Sequence, residues 1–435
     1  MGEPTVRLDT SVPALLVKVG RYPVHAGGLG VIRSLGQLGV PVYAITEDRW
    51  TPAAVSRHLA GHVVWRDSDR EQPDRLVRRL CEIGRWLGRP AVPVATDDEA
   101  AALLAEHADE LREHFLLPPV EPGLPARLAS KRGLYDLCLE HDIPAPRTVF
   151  PTDGAHLLEV ARDLTFPIVA KNVDPWVRLS APVVDGTTIV IDRDELMDRF
   201  GRSSDLSGLL LQEHIPHDSS EDWFVHSYCD GESATVATFA GRKAYAWPPG
   251  RGVTADARAA VNPVLTELTG RFCKAVGYRG VNDLDWRYDV RDGRYKLLDF
   301  NPRVGAQFAF GRTEGGVDVV RALHLDMTGR AVPAGNQDYA RRMVVENVYL
   351  PARLGHRLAR LPAAPAPAPG TRTRGAWCSG AVTDPLPVLA MALRYLRPAS
   401  AGLGRVLVQG VRRAAGRMPT TNRPLGGRNR RLDHG

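Results

Sequence analysis

Cysteine is scarce in this sequence: five in 435 residues (Cys81, Cys138, Cys229, Cys273 and Cys378), odd in number, far apart and with no C-x-x-C pair. That spacing argues against a disulfide framework or a thiolate zinc site and points to a reducing cytoplasm. Long apolar runs are also lacking, and no stretch approaches the roughly 18 residues that a membrane-spanning helix needs. The first residues, MGEPTVRLDTSVPALLV, do not show the basic-then-apolar order of a secretory leader, so no export is expected. Lysine is absent after Gly329, where arginine alone supplies positive charge. Repeats of solenoid period are absent as well.

What remains is an ordinary globular mixture, 44% hydrophobic and 24% charged. Its net charge of +6 is unevenly placed: from Ala331 onward 17 arginines face four acids, a balance of +13, which leaves −7 on the first 330 residues. The basic character belongs to the C-terminal part, so a nucleic-acid partner is not expected for the body of the protein.

The pattern of strands and helices predicts an α/β and α+β protein in three parts. Residues 12–127 read as a Rossmann-like α/β domain. Pro13–Gly20 is a short apolar strand, Gly27-Gly28-Leu29-Gly30 a turn into a helix, Pro41–Thr46 a second strand, and Val92–Thr96 another before a capped helix. After the proline-rich connector Leu117–Pro125, residues 128–330 form a second domain. In it Ser130 caps a helix Lys131–His141, Phe166–Asn172 and Leu209–Ile215 are strands, a long helix spans Asp256–Val276, and two strands turn at Asp292-Gly293. Residues 331–435 read as a basic extension, with an alanine–proline linker at Ala363–Gly370 and two short basic amphipathic helices, Leu386–Leu396 and Arg405–Arg417.

The residues that carry chemistry cluster in the second domain. Asp285 lies on one strand of the last hairpin, and the other, YKLLDF, runs into Asn301-Pro302-Arg303. Asp299 and Asn301, two apart, point to the same face. Two carboxylates and an amide oxygen, with no His or Cys, make a hard-oxygen set suited to Mg²⁺ held jointly with substrate phosphates. Arg303 adds a planar donor fork for a phosphoryl or carboxylate oxygen. Lys171 ends an apolar strand, and Lys131 occupies the first turn of a helix, where the dipole disfavours a cation; both positions make sense if they face phosphates. The strand into Gln212-Glu213-His214-Ile215 can offer backbone groups to an adenine edge, and Glu221 or Asp222 can hold a ribose hydroxyl pair. Gly27–Gly30 lacks the full G-x-G-x-x-G spacing. It either holds a substrate carboxylate on helix-start amides, with Tyr22 and His25 alongside, or is a turn that simply needs glycine.

This order of residues, from Lys131 to the LLDFNPR segment, resembles the ATP-grasp superfamily over residues 13–330, and within it the bacterial carboxylate–amine ligases of the D-aspartate-ligase and amino-acid-ligase type. The resemblance implies a pre-ATP-grasp domain followed by two lobes clasping ATP. It implies Lys131 and Lys171 on the phosphates, Gln212, Glu213, His214 and Ile215 at the adenine, and Asp222 or Glu221 at the ribose. Asp285, Asp299 and Asn301 would hold Mg²⁺, with Mn²⁺ as a substitute, and Arg303 would hold the acceptor or intermediate. Two features depart from the family: Asp299 stands where a Glu is usual, and the phosphate-covering loop, Asp174–Thr188, has few glycines but carries Arg178 as a stand-in.

The implied reaction activates a small carboxylate as an acyl phosphate and joins it to an amine, with release of ADP and phosphate. Alternatives are another acceptor, as in a carboxylase or kinase, or a non-catalytic ATP-binding regulator. A homodimer follows by analogy. The basic tail suits an anionic membrane surface or an acidic partner, so the expected location is cytoplasmic with a membrane contact.

Overall fold

The computed structural model describes residues 6–65, 72–173, 182–184, 186–216, 221–249, 252–361, 364–379 and 382–394. Three sheets organise them. The first is parallel, in the order β3-β2-β1-β4, from β1 (Ala14–Val17), β2 (Val42–Thr46), β3 (Gly61–Val64) and β4 (Val92–Ala95). Every residue of β1 is buried, because helices cover both faces of the sheet. Leu16 and Ala44 pack on Val31, Ile32 and Leu35 of the helix Ala26–Gly36. Leu15, Val17 and Ile45 pack on the opposite side with Leu76, Leu80 and Leu103.

A small antiparallel sheet, β5-β8-β6-β7, follows from β5 (Thr148–Val149), β6 (Ile168–Asn172), β7 (Thr188–Val190) and β8 (Leu209–Glu213). Two helices, Gly154–Val160 and Arg193–Phe200, close its outer face through Leu157 and Leu196. The third sheet has seven strands in the order β13-β12-β9-β10-β11-β14-β15. They are β9 (Glu221–Cys229), β10 (Thr235–Trp247), β11 (Val253–Ala259), β12 (Gly280–Asp289), β13 (Arg294–Asn301), β14 (Arg341–Val344) and β15 (Arg372–Gly375). One face of this sheet shares a core with the first domain, through Phe224, Phe239, Phe308 and Leu323. Its other face packs Trp223, Val225 and Phe300 on Leu134, Leu137 and Phe272.

Three expectations are corrected here. Gly27–Gly30 is not a turn, since the helix begins at Ala26 and includes all of it. A Cβ at Gly27 would come within 3.1 Å of the Gly305 carbonyl and Ala306 Cα, and one at Gly30 within 2.9 Å of Phe308, so these glycines let the helix lie close against the loop after Arg303. The helix expected from Asp256 starts at Pro263, capped by the Asn262 side chain, and residues up to Ala259 are the strand β11. The chain beyond residue 330 is also more than a tail. β14 pairs with β11, β15 pairs with β14, and the helix Glu346–Leu358 packs Ala352 against Tyr245 and Ala255. Farther on, Trp377 is buried with Leu29 and Met391, and Asp384 meets Arg33 of the first domain in a buried ion pair at 3.1 Å. Residues 386–394 are helical, and the second expected tail helix, Arg405–Arg417, lies outside the described residues. No helix among the described residues is long and apolar enough to cross a membrane.

Candidate active site

A cleft of about 590 Å³ opens between the small sheet, the seven-stranded sheet and the first domain, and a deeper recess of about 140 Å³ continues between the two sheets. The expected charged residues converge on it. β12 and β13 pair so that Asp285 lies opposite Asp299 and Asp283 opposite Asn301, which puts all four on the cleft. Lys131 opens the helix Lys131–Glu140, whose Ser130 cap accepts a hydrogen bond from the Gly133 amide. The Lys131 backbone amide donates to the Val173 carbonyl at 3.0 Å, which ties this helix start to the end of β6. Its ammonium forms an ion pair with Asp299 Oδ1.

Lys171, on β6, donates to Gln212 Oε1 of the adjacent strand β8 at 3.1 Å. Burial pushes its ammonium down to about 7; Lys131 and Arg287 add to the shift and Asp285 opposes it. A second cation, Lys243 of β10, reaches over β9 to Asp285 Oδ1 at 2.7 Å. Burial alone would lower its affinity for a proton, but Asp285, Asp222 and Asp283 outweigh burial and hold it charged above the ordinary range.

Arg303 is fixed from three sides. Its Nη2 donates to Asn301 Oδ1 at 2.9 Å, its Nη1 lies 3.3 Å from Asp283 Oδ2, and its Nε lies 3.3 Å from Asp98 Oδ1 of the first domain. These acids overcome the effect of burial and keep the guanidinium charged. Beside them, the Asp97 carboxylate accepts from the Val19, Gly20 and Ala100 amides, and burial raises it to about 7. His25 also lines this wall, held neutral by burial and by nearby Arg303 and Lys18, at about 3.

No protein-family profile matches the chain. It is similar to the D-aspartate ligase of Enterococcus faecium, 26% identical over 310 residues, which covers 68% of this chain and 73% of that protein. Among solved structures it is similar to an N5-carboxyaminoimidazole ribonucleotide synthetase in its ADP complex (TM-score 0.56, 11% identity, 76% of this chain and 81% of the other). It is also similar to the Aspergillus clavatus carboxyaminoimidazole ribonucleotide synthase with ATP (0.55, 16%, 75% and 79%). A third likeness is to the biotin carboxylase domain of Hydrogenobacter thermophilus 2-oxoglutarate carboxylase with MgADP and bicarbonate (0.53, 16%, 76% and 72%). The chain has the ATP-grasp fold.

Within the ATP-grasp cleft the remaining expected residues separate. Gln212, Glu213, His214 and Ile215 line the deep recess together with Asp222. The Ile215 carbonyl accepts from Arg287 Nη1 at 3.3 Å, and Glu213 pairs with Arg291 at 2.6 Å and Lys296 at 3.3 Å. Asp222 and Glu221, adjacent on a strand, point to opposite faces. Asp222 is held on the recess by Arg287 at 2.6 Å, whereas Glu221 bonds Arg242 at 2.7 Å and the Trp223 indole at 3.0 Å. Arg178 lies outside the described residues, as does most of the loop expected to cover the phosphates.

Asp285, Asp299 and Asn301 form a donor set that fits Mg²⁺. The three oxygens are hard, and each carboxylate now faces a lysine whose charge a divalent ion can replace. No three of the His, Cys, Asp and Glu side chains among the described residues are placed to hold a metal ion by themselves, so the remaining ligands would come from phosphate or water. Asp97, Asp98, Lys243, Asp283 and Arg287 are the cleft residues that sequence reasoning missed. Lys243 follows Arg242 in AGRKAYAW, and nothing in that pattern separates a cation of the cleft from its solvent-facing neighbour.

Proposed function

We propose that the protein is an ATP- and Mg²⁺-dependent ligase that activates a small carboxylate as an acyl phosphate and joins it to an amine. The observation that carries this reading is the pair of lysine–aspartate contacts, Lys131–Asp299 and Lys243–Asp285, on neighbouring strand positions at one cleft. A nucleotide triphosphate with its metal brings the counter-charges that let both pairs open, the lysines turning to phosphate and the aspartates to the metal.

In this reading the strand end at Gln212–Ile215 holds the adenine, Asp222 the ribose, and Lys131, Lys171 and Lys243 the phosphates. Asp285, Asp299 and Asn301 would hold Mg²⁺, which supplies charge neutralisation along the transferred phosphoryl group. Asn301 Oδ1 keeps a second lone pair while it accepts from Arg303. Arg303 presents its donors where the carbonyl oxygen of the activated carboxylate gathers charge as the amine attacks. Asp98 and Asp283 hold that fork in place before substrate arrives. Closure of the small sheet over the recess would exclude water, which competes with the amine for the acyl phosphate.

Incubation with Mg·ATP, pooled amino acids and hydroxylamine tests the reading, with D-aspartate first because it appears in the relative's name. Carboxylate-dependent ADP and trapped hydroxamate, lost in Lys171→Ala and Asp299→Ala, are expected. AMP with pyrophosphate would overturn the acyl-phosphate route, and nucleotide binding without turnover on any carboxylate would favour a regulatory protein. We also propose a homodimer in solution, which light scattering measures directly. The C-terminal quarter, at +13, is the part suited to an acidic partner or an anionic surface.

A further inference from the structure

Two helices of the C-terminal quarter leave leucines facing away from the core. In the helix Glu346–Leu358, Ala352 is buried on the sheet, while Leu350, Leu354 and Leu358 recur every four residues and so form one stripe. The helix 386–394 packs Val388 and Met391 on Trp377 and leaves Leu386, Leu389 and Leu393 outward. Exposure of the six runs from 55% at Leu386 to 74% at Leu358. A single exposed leucine needs no explanation, whereas two stripes on helices that both touch one residue call for one. That residue is Trp377: its indole Nε1 donates to Asn347 Oδ1 at 2.9 Å, its amide donates to Glu346 Oε2 at 3.0 Å, and its ring packs with Met391. Arg353, Arg357 and Arg360 flank the first stripe.

We infer that this arginine-flanked apolar surface seats the protein on an anionic lipid bilayer. Charge selects the occupant. A second copy would bring the same arginines against themselves. Residues 395–435 of this chain, with nine arginines against one acid, would add like charge. An anionic bilayer offers negative headgroups to the arginines and, just beneath them, an apolar boundary to the leucines. The −7 on the first 330 residues sets the orientation, because it turns the body away from the same headgroups while the C-terminal quarter is drawn to them. The inference stands on these two helices and not on the ligase reading.

Flotation of the full chain with vesicles tests it, comparing phosphatidylcholine alone with a phosphatidylcholine–phosphatidylglycerol mixture at low and high salt. The protein is expected to float with the anionic vesicles only and to be released by salt. The triple variant Leu350→Gln, Leu354→Gln, Leu358→Gln should partition roughly tenfold less or weaker still. Its thermal midpoint should stay unchanged, because the three side chains are exposed. The pair Arg353→Gln and Arg357→Gln should weaken binding at low salt and leave packing alone. Failure of the wild type to float with anionic vesicles would overturn the proposal. So would flotation unchanged by the leucine triple and by its counterpart at Leu386, Leu389 and Leu393, because tail charge alone would then account for it. Dissociation of a dimer by the leucine variants, without any loss of vesicle binding, would assign the surface to a second copy.

Discussion

Lys243 and Asp285 make a 2.7 Å contact across an intervening strand, since β9 separates β10 from β12 in the sheet. The contact lies in the cleft, and it joins a carboxylate proposed to hold Mg²⁺ to a cation that belongs to no recognisable motif. Lys243→Met should leave Asp285 without its counter-charge and the phosphates with one cation fewer. We expect kcat to fall about 100-fold, with Lys243→Arg recovering part of it. Steady-state kinetics with saturating Mg·ATP measure this, and activity within threefold of wild type would remove Lys243 from the site.

Nucleotide binding should take up a proton above neutral pH. Burial holds Lys171 at about 7 in the open cleft, against an ordinary 10.5, so the side chain is largely neutral between those values. A phosphate beside it restores the ammonium, and the proton comes from the buffer. Calorimetry at pH 8 to 9 in buffers of different ionisation enthalpy should show this uptake, and Lys171→Arg should abolish it. The sign for stability follows from the same shift. The unfolded chain binds this proton up to about 10.5 and the folded chain only to about 7, so the group's contribution to stability rises as pH climbs through that window.

Gly305 has no room for a side chain. An added Cβ would overlap His226 Cε1 and Asp283 Oδ2, both buried. Asp283 holds Arg303 through its carboxylate, and its carbonyl accepts from Asn301 Nδ2 at 2.9 Å. Gly305→Ala should therefore lower kcat roughly tenfold or more by moving the guanidinium, while nucleotide affinity changes little. Parallel measurement of kcat and nucleotide Kd separates the two.

Asp384 serves three groups of the first domain at once: Arg33 Nε at 3.1 Å, the Ser56 hydroxyl at 2.8 Å and the Arg57 amide at 2.9 Å. Asp384→Ala leaves a buried guanidinium facing only carbonyl oxygens, and should cost about 3–5 kcal/mol of stability. Urea unfolding checks it, and Asp384→Asn should lose less.

The strand ends of the second domain are legible because chemistry interrupts an apolar pattern there: a lysine closing FPIVAK and an acid closing KLLDF have no packing reason to exist. The cap at Ser130 is legible for a similar local reason, a hydroxyl three residues before an amide it can accept from. Lys243 is not. It gains meaning from Asp285 two strands away, and β10 changes register between Lys243 and Tyr245, which breaks the alternation that would assign it a face. The glycines at 27–30 mislead because close helix packing and tight turning ask for the same residue. β14 and β15 are hidden because RRMV and RTRG carry no apolar alternation. They are strands because β11 presents an edge to β14 and β14 in turn presents one to β15, a fact of three dimensions.

The Arg33–Asp384 pair spans 351 positions of sequence. During synthesis the first domain emerges early, with a guanidinium prepared for burial and its carboxylate not yet made. That domain cannot reach its final state until the segment around Asp384 has left the ribosome, so a domain translated before the rest of the fold is among the last parts to be completed.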